Sequence, residues 1–538
     1  MCGIFAYISD SSINKSKLKK LRKYGNRISH RGPDNTKEKL LDNIYLQFHR
    51  LMINDISDRG NQPIAHPEDE GLILICNGEI YNYKELASEH NFNLNSGSDC
   101  EIILHMYKKL GINETLKNLD GVFAFVLVDK RNNKIWAARD PIGVRSMYIG
   151  VGNDNTAIAS ELKSIVDGSE RLMKKVDQFP PGHYYDILEK KFSKYYDYVY
   201  PTNPDMDEEK IMKNIRDLLF KATEKRLLSD RPIGCLLSGG LDSSLIAGIL
   251  CKLMPPGKLK TFSIGLENSV DLIHAKLVAE YLGTDHHEVI ITEEEMLGTL
   301  EEDIRMIESY DTTTVRASTP MYILSKYIRD NTDVVVIFSG EGSDEASGSY
   351  MYFHNAPNKE EFKKETVRLM KDLIYFDVLR CDKSTAGAGL EVRVPFLDKE
   401  FLQYYLSVEP SLKMPKTFNI EKYLLRKAFE GDHLIPDKVL WRMKEGMSDG
   451  VSSKKKAWYE IIQDKVSKIM SNREFFTLQS KYFHNVPKIK ESMYYREIFD
   501  EYYEQCGHTI PYYWLPKWSG DIVEPSARVL KCYDKDKL

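Results

Sequence analysis

After Pro232 the sequence settles into one repeating pattern, an apolar run that ends in small residues and is followed by a helix-forming stretch. Ile233 to Leu237, Thr261 to Ile264 and Val334 to Phe338 are three such runs. Strands alternating with helices build a parallel, doubly wound sheet, and such a sheet binds ligands beyond the carboxyl ends of its strands. A loop that directly follows one of these runs is therefore delivered to one edge of one sheet, and two loops here carry chemistry.

The first is Leu236-Leu237-Ser238-Gly239-Gly240-Leu241-Asp242-Ser243-Ser244. Its small residues let backbone N–H groups approach an anion closely, and the helix that follows adds favourable partial charge. No Gly-Lys-Ser/Thr follows, so this is not a Walker loop. A loop that grips pyrophosphate suits cleavage between the α- and β-phosphates and yields AMP. A bare glycine-rich connector would need none of the surrounding pattern. The second loop, Ser339-Gly340-Glu341-Gly342-Ser343-Asp344-Glu345, follows the Val334 to Phe338 run. Asp242 and Asp344 are then placed to hold Mg²⁺, which favours carboxylate oxygens together with substrate phosphate. The stretch Tyr310 to Pro320 supplies hydroxyls and Arg316, and Lys444 supplies a further charge, although either cation is also suited to an ordinary ion pair. Asp285-His286-His287-Glu288 is not read as a metal site, because neighbours on a strand point to opposite faces.

The first 200 residues look different. Short β-type runs, Leu72 to Cys76, Val122 to Val128 and Ile135 to Ala138, are broken by Gly, Asn, Asp and Pro, which predicts hairpins in an antiparallel α+β layer structure. The polar, proline-bearing stretch 201–207 reads as a linker, and Ile211, Ile215, Leu218, Leu219 and Ala222 then mark one face of a helix. From about Phe362 onward the chain reads as a helical extension of the sheet domain. Two domains are expected, 2–200 and 201–538. With 42% hydrophobic and 29% charged residues the 538-residue chain has the apolar content to fold throughout.

The 75 Lys and Arg nearly balance the 80 Asp and Glu, so no global field favours nucleic-acid or membrane partners. Eight cysteines without paired short spacing argue against a disulfide framework or a CxxC zinc site. No signal-like stretch opens the chain and no apolar run approaches a membrane span, which together predict a cytoplasmic enzyme. The ending Lys535-Asp536-Lys537-Leu538 is a near miss to an ER-retention tail and is not read as one. A homodimer is the one self-association left open.

Cys2 follows the initiator methionine, and a small second residue permits removal of Met1. The chain would then begin with an amine beside a thiol, and that amine can serve as base for its own nucleophile. Three clusters supply what an amide hydrolase needs: His30-Arg31-Gly32-Pro33-Asp34, Asn77-Gly78-Glu79-Ile80-Tyr81-Asn82 and Gly97-Ser98-Asp99-Cys100-Glu101, each expected as a turn. Arg50 is suited to clamp an amino-acid carboxylate, Asp99 to hold its ammonium, and Asn77 with the Gly78 N–H to form an oxyanion hole.

In this order Met1-Cys2-Gly3-Ile4 and these three clusters, with Leu119 to Phe125 and Ala138 to Arg145, resemble the glutamine amidotransferase domain of the N-terminal-nucleophile class. Ser146-Met147 departs from the usual Pro-Leu, with an effect expected on packing only. The two C-terminal loops, with Leu390 to Asp398 and Lys444 to Gly450, resemble the synthetase domain of asparagine synthetases, and the segments 511–518 and 525–528 resemble the eukaryotic form more than the bacterial one. Ala346 to Tyr350 departs from a bacterial second glycine, which suggests a looser loop. The resemblance implies stacked antiparallel sheets between helices, then an ATP-pyrophosphatase α/β domain. It implies glutamine-binding residues Arg50, Leu51, Met52, Ile53, Asn54, Asn77, Gly78, Glu79 and Asp99. It implies that Leu237 and Ile264 frame adenine while Ser238, Gly239, Gly240, Asp242, Ser243, Ser244, Ser339 and Gly340 take the rest of ATP. Thr313, Thr314, Arg316 and Lys444 would line the intermediate and pyrophosphate site, and Glu341 would deprotonate the attacking nitrogen. The implied reaction makes asparagine from glutamine, aspartate and ATP, with Mg²⁺, through a Cys2 thioester and a β-aspartyl-adenylate. A β-lactam synthetase-like enzyme and a catalytically silent amino-acid-binding protein are the alternatives.

Overall fold

The computed structural model describes residues 1–531 except 199 and 454. Cys532 and the Lys535 to Leu538 tail lie outside the described residues.

The N-terminal half is two six-stranded antiparallel sheets laid face to face. One is centred on Gly3–Ser9, which pairs with Ile44–Arg50 on one side and Asn155–Ala159 on the other. The other is built on Asp69–Ile80, paired with Gly121–Asp129 from Leu72 opposite Asp129 to Ile80 opposite Gly121. Side chains alternate across a strand. Ile4, Ala6 and Ile8 therefore meet Ile73, Ile75, Ala124 and Val126 in the layer between the sheets. Phe5 and Tyr7 face the other way with Leu21 and Tyr24 of the helix Lys15–Gly25. Leu74, Phe123 and Phe125 face the helix Ile102–Asn118 on the far side. Helices thus cover both outer faces.

The three clusters expected as turns are not all turns. Asn77, Gly78 and Glu79 lie within the strand Asp69–Ile80, paired with Ala124, Phe123 and Val122. His30 and Arg31 end a 3₁₀ helix, Asn26–Arg31, and Asp99 to Glu101 form another. Leu72 to Ile75 and Val122 to Val128 supply enough apolar alternation to carry the ladder past the polar residues, which local turn propensity does not register.

Beyond residues 200–207, which form neither helix nor strand, the helix Glu208–Glu224 is capped by Asp207 and buries Ile211, Ile215, Leu219 and Ala222. The C-terminal sheet has five parallel strands in the order Asp285–Ile291, Lys260–Leu266, Ile233–Leu236, Val336–Phe338, Glu391–Arg393. The chain leaves Ile233–Leu236 toward one edge and later returns to its other side with Val336–Phe338. The strand order reverses between these two, and a crevice opens where the following loops diverge. Two of the five strands escape a search for apolar runs, because Asp285–Ile291 opens with four polar residues and Glu391–Arg393 is three residues long. On the first, His286 bonds Thr261 and Ser263 at 2.9 and 3.1 Å, while His287 is 3.3 Å from the Tyr327 hydroxyl.

The halves share buried contacts. Leu51 and Ile53 pack with Leu237, Phe338 and Phe396 in one apolar cluster. Arg31, fully buried, donates to Glu161 at 2.6 Å and across the boundary to Asp382 at 2.9 Å. Ser146, one of the departures noted above, donates to the same Asp382 carboxylate at 2.8 Å. Its effect is an added polar tie between the halves. In the other departure, the Ala346 to Tyr350 loop, Ser349 is fully buried and donates to Asp344 at 2.6 Å, and Gly348 at φ +61° packs against Phe362.

Candidate functional site

In the N-terminal half Cys2 sits directly before the strand Gly3–Ser9. Cys2 Sγ accepts from the Leu51 N–H at 3.4 Å, and burial pushes its thiol up to about 11 while Met1 precedes it. The Met1 amine is buried against the Leu390 carbonyl at 3.1 Å, and burial lowers it to about 5. Asn77 is almost fully buried, yet its side-chain NH₂ has no hydrogen-bond partner among the described residues. An unpartnered buried donor costs about 1–3 kcal/mol unless a ligand satisfies it. Gly78 is held so close to the next strand that a Cβ would lie 2.6 Å from the Val122 carbonyl oxygen.

Arg50 ends the strand Ile44–Arg50 and is wrapped by its own loop. Its guanidinium donates to the Ser57 carbonyl at 2.7 Å, to Asn61 Oδ1 at 3.0 Å and to the Asp55 carbonyl. Neutral oxygens orient the group without cancelling its charge, and no carboxylate pairs with it among the described residues. Asp99 Oδ2 accepts from the Ile80 N–H at 2.6 Å and Oδ1 from Asn54 at 3.4 Å, while burial raises its carboxyl to about 6. Asn54 also donates to Glu79, whose carboxyl burial holds well above the usual carboxylate range.

In the C-terminal half the crevice at the reversal of strand order is a cavity of about 240 Å³. Gly239 adopts φ +70°, and a Cβ there would sit 2.4 Å from the Ala275 backbone nitrogen, so only glycine permits this turn. Ser238 and Ser243 hydroxyls lie 3.0 Å apart across the turn, with the helix Leu241–Leu253 starting behind them. A Cβ on Gly340 would approach the Ser243 backbone nitrogen to 2.8 Å, so the two phosphate-type loops abut.

The charges around the cavity are paired with one another. Asp344 is bonded by Lys444 and by Lys422, and Lys422 Nζ lies 2.5 Å from both Asp242 and Asp344. Together these ammonium groups outweigh burial and hold the Asp344 carboxyl below the usual carboxylate range. Arg380 donates to both Glu341 oxygens at 3.1 and 2.9 Å and to Asp377 at 2.6 Å. Burial nevertheless pushes the Glu341 carboxyl up to about 7 against the pull of that guanidinium. A carboxylate poised near neutrality inside a cavity is suited to take a proton from a reacting nitrogen.

A profile described as "Glutamine amidotransferase domain" matches residues 1–188, and one described as "Asparagine synthase" matches 214–364 and 355–525. Over 99% of both chains, the sequence is 44% identical to an asparagine synthetase (glutamine-hydrolyzing) of Gallus gallus. The corresponding proteins of Mus musculus and Homo sapiens are 44% and 43% identical over the same share. The chain belongs to the asparagine synthetase family.

The family's two halves each bring together residues far apart in sequence. Leu237, Ser238, Gly240, Asp242, Ser243, Ile264, Thr313, Thr314, Ser339, Gly340, Glu341, Asp344 and Lys444 all line the cavity. Thr313 and Thr314 arrive there because Asp311 caps their helix, accepting from both hydroxyls at 2.7 and 2.9 Å. Gly239 and Ser244 lie behind the lining, Gly239 against Ala275 and Ser244 fully buried in the helix. Arg316 is the clear correction. It is turned away from the cavity into a buried ion-pair cluster, 2.6 Å from Glu491 and 2.6 Å from Glu524. Helical spacing does not set this, since Arg316 lies three residues beyond Thr313 on the same side of the helix; the Glu491 and Glu524 carboxylates hold the guanidinium instead. Sequence reasoning did not single out Lys422, Asp377 or Arg380. Asp377 and Arg380 had a readable signal, an acid and a base three apart at the start of the helix Asp377–Gly387. Lys422 had none.

Proposed function

We propose that the chain makes L-asparagine from L-aspartate, L-glutamine and ATP, releasing glutamate, AMP and diphosphate. The observation that carries this reading is the pairing of an amide-hydrolase pocket on one half with a strand-end phosphate cavity on the other, in one family member. The two proposed domains are 2–200 and 201–538, and the change from antiparallel to parallel sheets on either side of the 195–207 stretch supports them.

After removal of Met1, Cys2 Sγ attacks the glutamine amide carbon and the amine of Cys2 acts as base. Asn77 and the Gly78 N–H hold the oxyanion, ammonia leaves, and water then cleaves the thioester to glutamate. Arg50 takes the glutamine carboxylate and Asp99 its ammonium, with Leu51 to Asn54 and Glu79 shaping the pocket. In the other half the β-carboxylate of aspartate attacks the α-phosphorus, diphosphate departs, and a β-aspartyl-adenylate forms. Ammonia attacks its acyl carbon, AMP leaves, and Glu341 accepts the proton. The buried boundary between the halves, where Leu51 and Ile53 share one apolar cluster with Leu237, supports passage of ammonia out of contact with bulk water, which would protonate it.

Asp242 and Asp344 fit Mg²⁺ arriving with ATP, since two carboxylates plus phosphate oxygens is a donor set that ion favours. The metal would neutralise charge on the departing diphosphate, beside Lys444 and the turn at Ser238 to Ser243. A cytoplasmic setting goes with this chemistry because the nucleophile must stay a free thiol, and the seven described cysteines are unpaired.

Incubation with amide-¹⁵N glutamine, aspartate and ATP tests the reading. ¹⁵N-asparagine with stoichiometric AMP is expected, whereas ADP and orthophosphate, or a cyclised product, would contradict it. No nucleotide turnover at all would favour a binding protein.

A further inference from the structure

Lys422 has no part in the scheme above, yet it occupies the centre of the charge cluster. Its side chain is 2% exposed, and its ammonium sits 2.5 Å from Asp242 and 2.5 Å from Asp344, the two carboxylates suited to the metal. The residue is held there by unusual backbone. Lys422 starts the short helix Tyr423–Ala428 with φ +59°, a left-handed conformation uncommon for a non-glycine residue. Its neighbour Glu421 is buried and accepts both from Arg426 and from the Lys444 backbone N–H at 2.7 Å. The segments bearing Lys422 and Lys444 are therefore fastened to each other, and both ammonium groups converge on Asp344.

This arrangement is electrostatically complete without any ligand, with two carboxylates facing two ammonium groups. A divalent cation entering alone would have to share the same carboxylate oxygens with Lys422, adding two positive charges to a mostly buried site already neutral. A triphosphate changes that balance, because its oxygens accept the lysine while the cation takes the carboxylates. We propose that Lys422 is a positioning residue that keeps Asp242 and Asp344 closed to a divalent cation until a triphosphate or diphosphate takes over its ammonium. Metal and nucleotide then bind as a linked pair, and neither carboxylate holds a metal between turnovers. The proposal rests on the reading of Asp242 and Asp344 as Mg²⁺ carboxylates of an ATP site.

Binding of Mn²⁺, followed by electron paramagnetic resonance on the full-length protein without turnover, tests it. The wild type is expected to bind Mn²⁺ weakly alone and at least about tenfold more tightly with an ATP analogue whose α–β bridge is methylene, given the strength of charge-assisted contacts. Inorganic diphosphate should reproduce much of that gain, and adenosine should not. Lys422→Met should bind Mn²⁺ alone about tenfold more tightly than the wild type and lose most of the nucleotide-linked gain, while Lys422→Arg should keep the wild-type pattern. A merely damaged fold weakens binding, so a gain in metal affinity separates the proposed role from a structural one. The wild-type arms need no variant to fold, and adenosine matching the triphosphate analogue there would overturn the proposal. Equal nucleotide-free affinity in wild type and Lys422→Met would overturn it too, as would a gain that survives Asp344→Asn in the Lys422→Met background. Absence of Mn²⁺ binding even with the analogue would instead refute the metal reading beneath it, and the lock with it.

Discussion

The two pockets of this chain handle buried charge in opposite ways. In the glutamine half, Arg50, Asp99 and Asn77 have no ionic partner among the described residues: Arg50 rests on carbonyl and amide oxygens, Asp99 accepts from a backbone N–H and an amide, and the Asn77 NH₂ has no hydrogen-bond partner there. In the ATP half, the central charges answer one another, Lys422 and Lys444 paired with Asp242 and Asp344, and Arg380 with Glu341 and Asp377. The first pocket is preorganised for a ligand carrying one carboxylate and one ammonium. The second must exchange partners when a highly charged ligand arrives. A pocket of the first kind suits a small zwitterion that comes and goes unaided, and one of the second kind makes nucleotide and metal depend on each other.

Substitutions can break this contrast at either end. Replacing Cys2 by Ala should give the largest effect, lowering glutamine-dependent synthesis by at least about 10³-fold while synthesis from added ammonia persists. Steady-state assays with each nitrogen source check this, and loss of both activities would mean the halves are not separable. Asn77→Ala should lower kcat of glutamine hydrolysis by roughly 10²–10³-fold with little change in KM, because the donor is satisfied only when the oxyanion forms. A change confined to KM would instead make Asn77 a ground-state contact. Arg50→Lys should raise the KM for glutamine roughly tenfold or more and leave ammonia-dependent synthesis unchanged, since a lysine cannot reproduce the forked contact.

The smallest effect concerns pH and sharpens the description of the paired half. Glu341 must be ionised to accept a proton, so ammonia-dependent synthesis, corrected for the fraction of free ammonia, should fall as pH drops through about 7. Arg380 favours the ionised form, and Arg380→Met should therefore move that limb to higher pH by about one unit or more. A limb unmoved by the substitution would remove Glu341 from the proton path. In the unpaired half, Asp99 loses its charge as pH falls through about 6, and the KM for glutamine should rise there.

Most of the unpaired half was readable along the chain, and the paired half only in part. Asn77 and Asp99 belong to short contiguous clusters whose residue types state their chemistry, and the glycines at 239 and 340 mark turns where a Cβ has no room. At Asn77 to Glu79 a polar run reads locally as a turn, whereas register with Gly121–Asp129 keeps it in the strand. Arg316 was misplaced because proximity to Thr313 and Thr314 in sequence says nothing of Glu491 and Glu524, more than 170 positions away, which hold its guanidinium. Lys422 was invisible for the same reason, since its partners lie 180 residues upstream in one loop and in another near 344. Long-range charge pairing has no local signature, and the half that depends on it most is the half read least completely.

The claim that both pockets serve one reaction is tested most directly by a competition for nitrogen. Turnover with amide-¹⁵N glutamine in a large excess of unlabelled ammonium, below the concentration that supports synthesis by itself, should give asparagine labelled almost entirely with ¹⁵N. Asparagine carrying the isotope ratio of the bulk ammonium would contradict direct transfer between the two halves.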